Sequence, residues 1–285
     1  MIEYLTLTKP KVLLLLVFTA IIGMLVASDN TLDLPLLFWA SIGIALAASS
    51  GAVINHIYDK DFDHQMNRTK TRPLATGKIT EANALRFAIV LGLFGISILV
   101  IFVNPLTAFL TFISLIGYAL IYTMLLKYNT SQNIVIGGAS GATPPLLGWA
   151  AVTNEISVNA IILFLIIFVW TPPHFWALAL AKKEEYKMVN IPMLPSTHGV
   201  QFTKLSMLFY TVVLWFVCLL PVLTGLSGTL YFFCANLLCL GFLLLVAQLF
   251  IKATTENSLL LFAYSITFLS GIFFVLLVDK LVLTI

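Results

Sequence analysis

Residues 55–74 read NHIYDKDFDHQMNRTKTRPL, a polar stretch that follows directly on a long apolar run. Within it, Asn55, Asp59 and Asp63 recur every four residues. Residues four apart are neighbours on a helix surface, so a helix here would align three oxygen donors on one face. Carboxylate and amide oxygens suit a hard cation such as Mg²⁺, and the basic residues that follow suit a phosphate beside it. The stretch therefore predicts a metal and phosphate site at the end of an apolar helix.

The composition outside this stretch is that of an integral membrane protein. The 285 residues are 60% hydrophobic and 9% charged, with a mean hydropathy of +1.05, whereas soluble domains carry about 25% charged residues. Apolar runs of about 20 residues span a bilayer as helices. We therefore expect one polytopic all-α domain over residues 1–285. Its nine predicted transmembrane spans are 12–28, 36–57, 84–103, 106–126, 133–152, 157–181, 204–225, 229–251 and 258–278.

The distribution of basic residues predicts the orientation of the chain. With the amino terminus in the cytoplasm, every lysine and arginine except Lys280 lies at the inner face. This agrees with the positive-inside rule for a bacterial inner membrane, and an odd number of spans places the carboxyl terminus outside. Because the basic residues lie in loops next to the membrane, the net charge of +3 indicates no nucleic-acid partner.

Two inner loops, at about 58–83 and 182–203, are longer than the outer connections. The first carries the acids described above, with Arg68, Lys70 and Arg72 as candidate phosphate ligands. The alternative is a solvated helix end in which the acids pair with Lys60 and Arg68, since charged residues often only mark the membrane interface. Lys127 is a lone cation at another inner helix end, and it too could reach a phosphate.

The sixth predicted span contains the sequence Thr171-Pro172-Pro173-His174. Two adjacent prolines remove helix hydrogen bonds, so we expect an opening in the helix that protein or a cavity must compensate. An ionisable residue within a membrane span is a functional candidate by default. His174 is therefore predicted to face a substrate cavity, although a hydrogen bond to a neighbouring helix would explain it equally well. Small residues such as Gly137, Gly138 and Gly141 are predicted to serve close helix packing.

These motifs together resemble one known group of proteins. The pattern from Asn55 to Leu74 is similar to that of the UbiA superfamily of intramembrane prenyltransferases. The segments 133–149, 171–180 and 191–199 are similar to its haem-prenylating branch. The resemblance implies a UbiA-type fold, with nine helices around a central cavity that is capped by the two inner loops. It also implies farnesyl diphosphate and haem B as substrates, Mg²⁺ as cofactor, haem O as product, and contact with downstream haem enzymes or the assembly of a terminal oxidase.

The resemblance assigns roles to residues of this sequence. Asn55, Asp59 and Asp63 would bind the metal, and Glu184 or Glu185 would do so where quinone-type members carry a second Asp-x3-Asp motif. The remaining candidates share basic or aromatic side chains that could bind diphosphate, stabilise an allylic cation or face haem: Arg68, Lys70, Arg72, Lys127, Lys182, Tyr186, His174 and Trp176. Two other functions stay open, a prenyltransferase for a quinone precursor or another aromatic acceptor and, in a different class, an ion transporter.

Overall fold

Helices make up most of the chain in the computed structural model, which describes residues 2–28 and 33–283; this part contains no β-strand. In chain order the helices are α1 (Ile2–Leu7), α2 (Pro10–Ala27), α3 (Leu34–Gln65), α4 (Glu81–Phe102), α5 (Pro105–Ile116), α6 (Asn133–Ala142), α7 (Pro144–Thr153), α8 (Val158–Ala181), α9 (Lys183–Met188), α10 (Leu194–Thr197), α11 (Gly199–Leu223), α12 (Thr229–Ile251) and α13 (Thr255–Leu283). A π-helical segment, Gly117–Leu126, continues α5.

Eight of these helices, within the described ranges, are long and apolar enough to cross a membrane: α2, α3, α4, α5 with its π-helical segment, α8, α11, α12 and α13. The remaining predicted span, 133–152, is a broken helix that consists of α6 and α7. Pro144 has no N–H to bond the carbonyl of Ser140. That carbonyl accepts instead from the hydroxyls of Ser114 (3.1 Å) and Thr143 (2.9 Å). The all-α architecture is confirmed, with the fifth span as a kinked pair.

Helix α3 extends beyond its predicted end at residue 57 and stops only at Gln65. The helix therefore includes the whole acidic stretch, and the inner loop begins at Met66, eight residues later than expected. Asn55, Asp59 and Asp63 are 2%, 4% and 5% exposed, so their common face is turned into the protein. The alternative of a solvated helix end is wrong.

The prediction that the paired prolines open the sixth span is also wrong. Helix α8 runs unbroken from Val158 to Ala181, with Pro172 and Pro173 inside it. Both prolines are buried, and α8 packs against α6, α11 and α13. Neighbouring helices of this kind let membrane helices tolerate proline without a break.

Glycines bring α6 close to its neighbours, largely as predicted. A side chain at Gly137 would collide with the ring of Tyr122, and one at Gly138 would lie 2.9 Å from the methyl group of Thr171. Gly141 differs, because a side chain there would meet nothing within 4 Å and the residue lines a cavity. The packing role predicted for Gly141 is therefore wrong.

The two predicted inner loops pack on each other, at the end of the bundle where α1 lies. Met66 of the first loop lies in one apolar cluster with Tyr186, Val189, Ile191 and Met193 of the second. Phe62 and Tyr128 stack beside this cluster with ring centroids 4.4 Å apart. The loops thereby form a cap over the inner ends of the helices.

Candidate active site

A cavity of about 570 Å³ lies under this cap, between α2, α3, α5, α6, α7, α8 and α13. Its deeper walls are apolar and include Ile44, Leu115, Leu147 and Leu269. Among the described residues, the charged side chains that line it come from the inner ends of the helices and from the cap: Lys9, Lys11, Asp59, Asp63, Arg68, Arg72 and Lys127. The cavity therefore has one polar end and one apolar end.

Helix α3 supplies the acids of the polar end, and other segments supply their cations. Asp59 accepts from Lys127 Nζ at 2.5 Å through Oδ2 and from the hydroxyl of Tyr128 at 2.6 Å through Oδ1. Asp63 accepts from Nη1 of Arg72 with both oxygens, at 2.9 and 2.8 Å. Charge-assisted hydrogen bonds of this kind are about twice as strong as neutral ones, so both carboxylates are held in fixed positions.

Asn55 completes the row and bonds to a residue that the sequence analysis did not select. Its Oδ1 accepts from Lys9 Nζ at 2.5 Å, and its Nδ2 donates to the hydroxyl of Thr123 at 3.3 Å. Lys9 is only half-buried by exposed area, yet burial of its ammonium group lowers its pKa to about 7. In the sequence, a lysine just before Pro10 at the start of the first span indicates only the orientation of the chain. Its contact with Asn55 depends on the fold.

The donor set of this polar end fits a hard divalent cation. Asn55, Asp59 and Asp63 present oxygen acceptors from one buried helix face, and every contact made by those oxygens is with a cation or a hydroxyl. Among residues 2–28 and 33–283, no three His, Cys, Asp or Glu side chains converge closely enough to hold a metal by themselves. Mg²⁺ typically takes one or two carboxylates and completes its shell with substrate phosphate oxygens and water, which matches two acids beside an open cavity.

Two phenols, Tyr128 and Tyr186, lie in this part of the protein, and Tyr128 donates to Asp59. Burial, followed by the negative charge of Asp59, raises the pKa of Tyr128 far above its usual value. Burial likewise raises the pKa of Tyr186, which lines the cavity from α9. Both phenols therefore stay protonated across the physiological range.

The structure brings only some of the other predicted residues to the cavity. Arg68 lies exposed at its rim. Lys70 is exposed, bonds to Asn67 at 3.0 Å, and does not line the cavity. Lys182 pairs with Glu185 at 2.9 Å, and Glu184 is exposed; none of the three lines the cavity. The second predicted acidic pair is therefore separate from the acids of α3.

The two predicted haem-facing residues lie in different places. His174 lines the cavity and is 7% exposed. Trp176 is 2% exposed and does not line it, because its ring packs edge-on against Tyr210 of α11, with centroids 5.5 Å apart. The helical turn explains the difference, since residues two apart point to different sides of a helix.

The sequence analysis missed an aromatic wall of the cavity. Tyr118 and Tyr122 lie on the π-helical segment with stacked rings, 5.4 Å between centroids, and both line the cavity. Gly137 leaves room for the ring of Tyr122. π-Helical turns occur frequently at functional sites, but a pattern search at 3.6 residues per turn does not find residues on them.

Comparison with known sequences agrees with the geometry of the site. The profile of the UbiA prenyltransferase family matches residues 16–277. The chain is 52% identical to the protoheme IX farnesyltransferase of Methylococcus capsulatus over 276 residues, which is 97% of this chain and 93% of the relative. It is also 52% identical to the protoheme IX farnesyltransferase of Nitrosococcus oceani over 277 residues, with the same coverage.

Solved structures share the fold at low sequence identity. A structure described for digeranylgeranylglyceryl phosphate synthase superposes with a TM-score of 0.82 at 20% identity, covering 98% of this chain and 97% of the other. A UbiA homolog from Archaeoglobus fulgidus bound to GPP and Mg²⁺ has a TM-score of 0.74 at 15% identity, covering 96% and 99%. From its sequence, its helical fold and the acids of its cavity, this multi-pass membrane protein belongs to the UbiA prenyltransferase family.

Proposed function

We propose that this protein transfers the farnesyl group of farnesyl diphosphate to a vinyl group of haem B, with addition of water, to give haem O and diphosphate. The observation that carries the proposal is the similarity over nearly the full length to relatives named protoheme IX farnesyltransferase. The cavity supports it, because a polar end that suits a metal diphosphate adjoins an apolar space that suits a prenyl chain and a porphyrin.

The polar end activates the leaving group. Asn55, Asp59 and Asp63 would hold Mg²⁺, which when bound supplies positive charge to the diphosphate oxygens. Lys127 and Arg72 are paired with these acids and line the cavity. Both cations would turn from the carboxylates to the diphosphate oxygens and stabilise the charge that develops there. Arg68 would add charge from the rim of the cavity, whereas Lys70 does not line it.

The apolar end protects the reactive carbon. Loss of diphosphate leaves an allylic cation that water would capture, and the deeper walls of the cavity, which include Ile44 and Leu115, would surround that carbon with apolar side chains. Tyr186, Tyr118 and Tyr122 line the cavity, and aromatic faces stabilise a nearby cation by about 0.5–2 kcal/mol. The reactive carbon can therefore persist until it meets the acceptor.

The transfer itself requires no protein nucleophile. The C1–O bond of farnesyl diphosphate breaks, and its electron pair leaves with the diphosphate. The π electrons of the haem vinyl group form the new bond to C1, which leaves a cation on the vinyl carbon next to the porphyrin. Water adds there and releases one proton, which gives the hydroxyethylfarnesyl substituent.

Glu184 and Glu185 could bind the metal only if the cap moved. Glu184 and Glu185 do not line the cavity, and Glu185 is paired with Lys182. Helix α9 would have to turn for either acid to reach a metal or for Lys182 to reach the diphosphate. We therefore assign the metal to the row on α3.

The distribution of polar residues disfavours a transporter. A transport path needs polar groups through the whole membrane, whereas the charged residues that line this cavity, in the described part of the chain, all belong to its inner end. A quinone-type acceptor is disfavoured by the names of the full-length relatives.

The topology belongs to the same proposal. The amino terminus and the cap would face the cytoplasm of a bacterial inner membrane, where water-soluble diphosphate is released, and the carboxyl terminus would lie outside. The product would pass through the bilayer to downstream haem enzymes or to the assembly of a terminal oxidase.

The test is the pigment content of membranes from cells that lack endogenous haem O. Expression of this protein should make haem O appear, and expression of the Asp59→Asn variant at equal level should not. Membranes that contain folded protein and only haem B, or in which a quinone precursor is prenylated instead, would contradict the proposal.

A further inference from the structure

His174 belongs to a hydrogen-bonded group that the transfer mechanism does not use. Its Nδ1 lies 2.6 Å from the hydroxyl of Ser265 on α13. Its ring is stacked between Trp170, with centroids 4.3 Å apart, and Phe262, at 4.6 Å. Trp170 Nε1 donates to the carbonyl of Ser265 at 2.8 Å. Two helices thus fix the plane of the imidazole ring.

The position of one proton follows from the contacts of Ser265. Its hydroxyl oxygen lies 2.6 Å from the carbonyl oxygen of Phe262. Two oxygens this close repel each other unless a proton lies between them, and only the hydroxyl carries one. Since that proton points to Phe262, the hydroxyl must accept from His174. Nδ1 therefore carries the hydrogen of the neutral ring, and Nε2 carries a lone pair.

The lone pair of Nε2 faces the cavity. In the part of the chain that the structure describes, Nε2 makes no hydrogen bond and is not among the fully enclosed atoms that lack a partner. His174 lines the cavity together with Thr171, Phe175 and Ile266, none of which is charged. A histidine whose Nδ1–H is held by an oxygen while Nε2 is open has the arrangement of a metal-ligating imidazole.

The depth of His174 suits a flat macrocycle in the apolar part of the cavity. His174 lies eight residues before Lys182 at the inner end of α8, which corresponds to about 12 Å along the helix axis. A porphyrin bound beside His174 would therefore occupy the cavity at a deeper level than the end of α8, among the apolar residues that line it.

We propose that Nε2 of His174 is an axial ligand of the iron of the haem substrate, and that Ser265 is a positioning residue that sets the tautomer and ring orientation. This inference rests on the proposed function, because it assumes that haem is the acceptor. Ligation fixes the macrocycle in the cavity, so that a vinyl group is presented to C1 of the farnesyl chain.

The experiment compares two porphyrins in the purified full-length protein. His174→Asn retains a side-chain N–H for Ser265 and removes the atom that ligates. Ferric haem B should bind this variant roughly tenfold or more weakly than it binds the unmodified protein. Metal-free protoporphyrin IX has no iron to ligate, so its affinity should be the same for both proteins. Equal losses for the two porphyrins, or no loss for either, would overturn the inference.

A spectroscopic measurement adds a readout that packing does not affect. The Raman spectrum of the ferrous haem complex should contain an iron–histidine stretching band that His174→Asn abolishes. Ser265→Ala should shift this band, because the proton on Nδ1 loses its acceptor. The control is His198→Asn, an exposed histidine outside the cavity, which should leave the band unchanged. A band that survives in His174→Asn would overturn the assignment.

The same samples separate this inference from the proposed function. If the unmodified protein farnesylates haem but shows no band that depends on His174, the iron ligand is wrong and the function stands. If it shows the band but forms no farnesylated haem with farnesyl diphosphate and Mg²⁺, the function is wrong and His174 is a haem ligand in a protein of another activity.

Discussion

Asp59→Asn is the substitution that most clearly separates chemistry from folding in this site. The side chain keeps its shape and one oxygen, but it loses the charge that Lys127 and Tyr128 contact. A hydrogen bond to a charged group contributes about 1.5–3 kcal/mol. Because the pair is largely buried, with Lys127 17% and Asp59 5% exposed, solvent can replace little of that interaction, and we expect the free energy of unfolding to fall by about 2–4 kcal/mol.

The activity of each folded molecule should fall by a far larger factor than the fraction of protein that is folded. Removal of one group that stabilises developing charge in an active site typically lowers kcat by about 10²–10³-fold, and a lost metal ligand should cost at least as much. The assay is the formation of farnesylated haem at saturating Mg²⁺ and farnesyl diphosphate, combined with thermal unfolding of the same preparation. Asp61→Asn is the matched control, because Asp61 lies exposed on the same helix and does not line the cavity.

The double variant Asp59→Asn with Lys127→Met shows which role dominates. If Asp59 only neutralises Lys127, removal of both charges should restore stability and raise activity to that of the Lys127→Met single variant or above. If Asp59 holds the metal, stability should recover while activity stays lost. Recovery of activity to that of the Lys127→Met single variant or above would refute the metal-site reasoning.

Three further predictions concern the cations, the metal and the packing. Arg72→Gln should raise the KM for farnesyl diphosphate by roughly 10- to 100-fold and that for haem far less, because a charged hydrogen bond is lost; Arg86→Gln, exposed on α4, is the control, and a change confined to haem would reverse the assignment. Removal of divalent cations with a chelator should abolish turnover, and added Mg²⁺ should restore it; full activity in the chelated enzyme would contradict the metal site. Gly137→Ala should lower the free energy of unfolding by about 1–3 kcal/mol, because the methyl group collides with Tyr122, while Gly141→Ala should raise it by about 0.5–1 kcal/mol, because the position is open and alanine is the better helix former; equal unfolding temperatures for the two variants would argue against the packing described for α6.

The parts of the fold that follow from local patterns were predictable from the sequence. Apolar runs gave the membrane helices, and the four-residue spacing of Asn55, Asp59 and Asp63 gave their common face. The end of α3 was placed too early, because charged residues usually mark a membrane interface. Here their charges are compensated inside the protein by Lys127 and Arg72, so the helix continues.

Contacts between distant segments were not predictable. Lys9 reaches Asn55 across 46 residues of sequence, and Lys127 reaches Asp59 across 68, and no local pattern indicates either contact. The two proline pairs show the same limit. Pro144 ends a helix where hydroxyl groups satisfy the freed carbonyl, whereas Pro172 lies within a continuous helix that its neighbours hold. The difference depends on tertiary packing and not on the prolines themselves.

The most direct test of the central claim is the mass of the haem that the purified protein releases. The unmodified protein, given haem B, farnesyl diphosphate and Mg²⁺, should convert haem B into a product that has gained one farnesyl group and one molecule of water. Asp59→Asn should leave haem B unchanged. Unmodified haem B after incubation with folded, metal-loaded protein, together with prenylation of a different aromatic acceptor, would contradict the account.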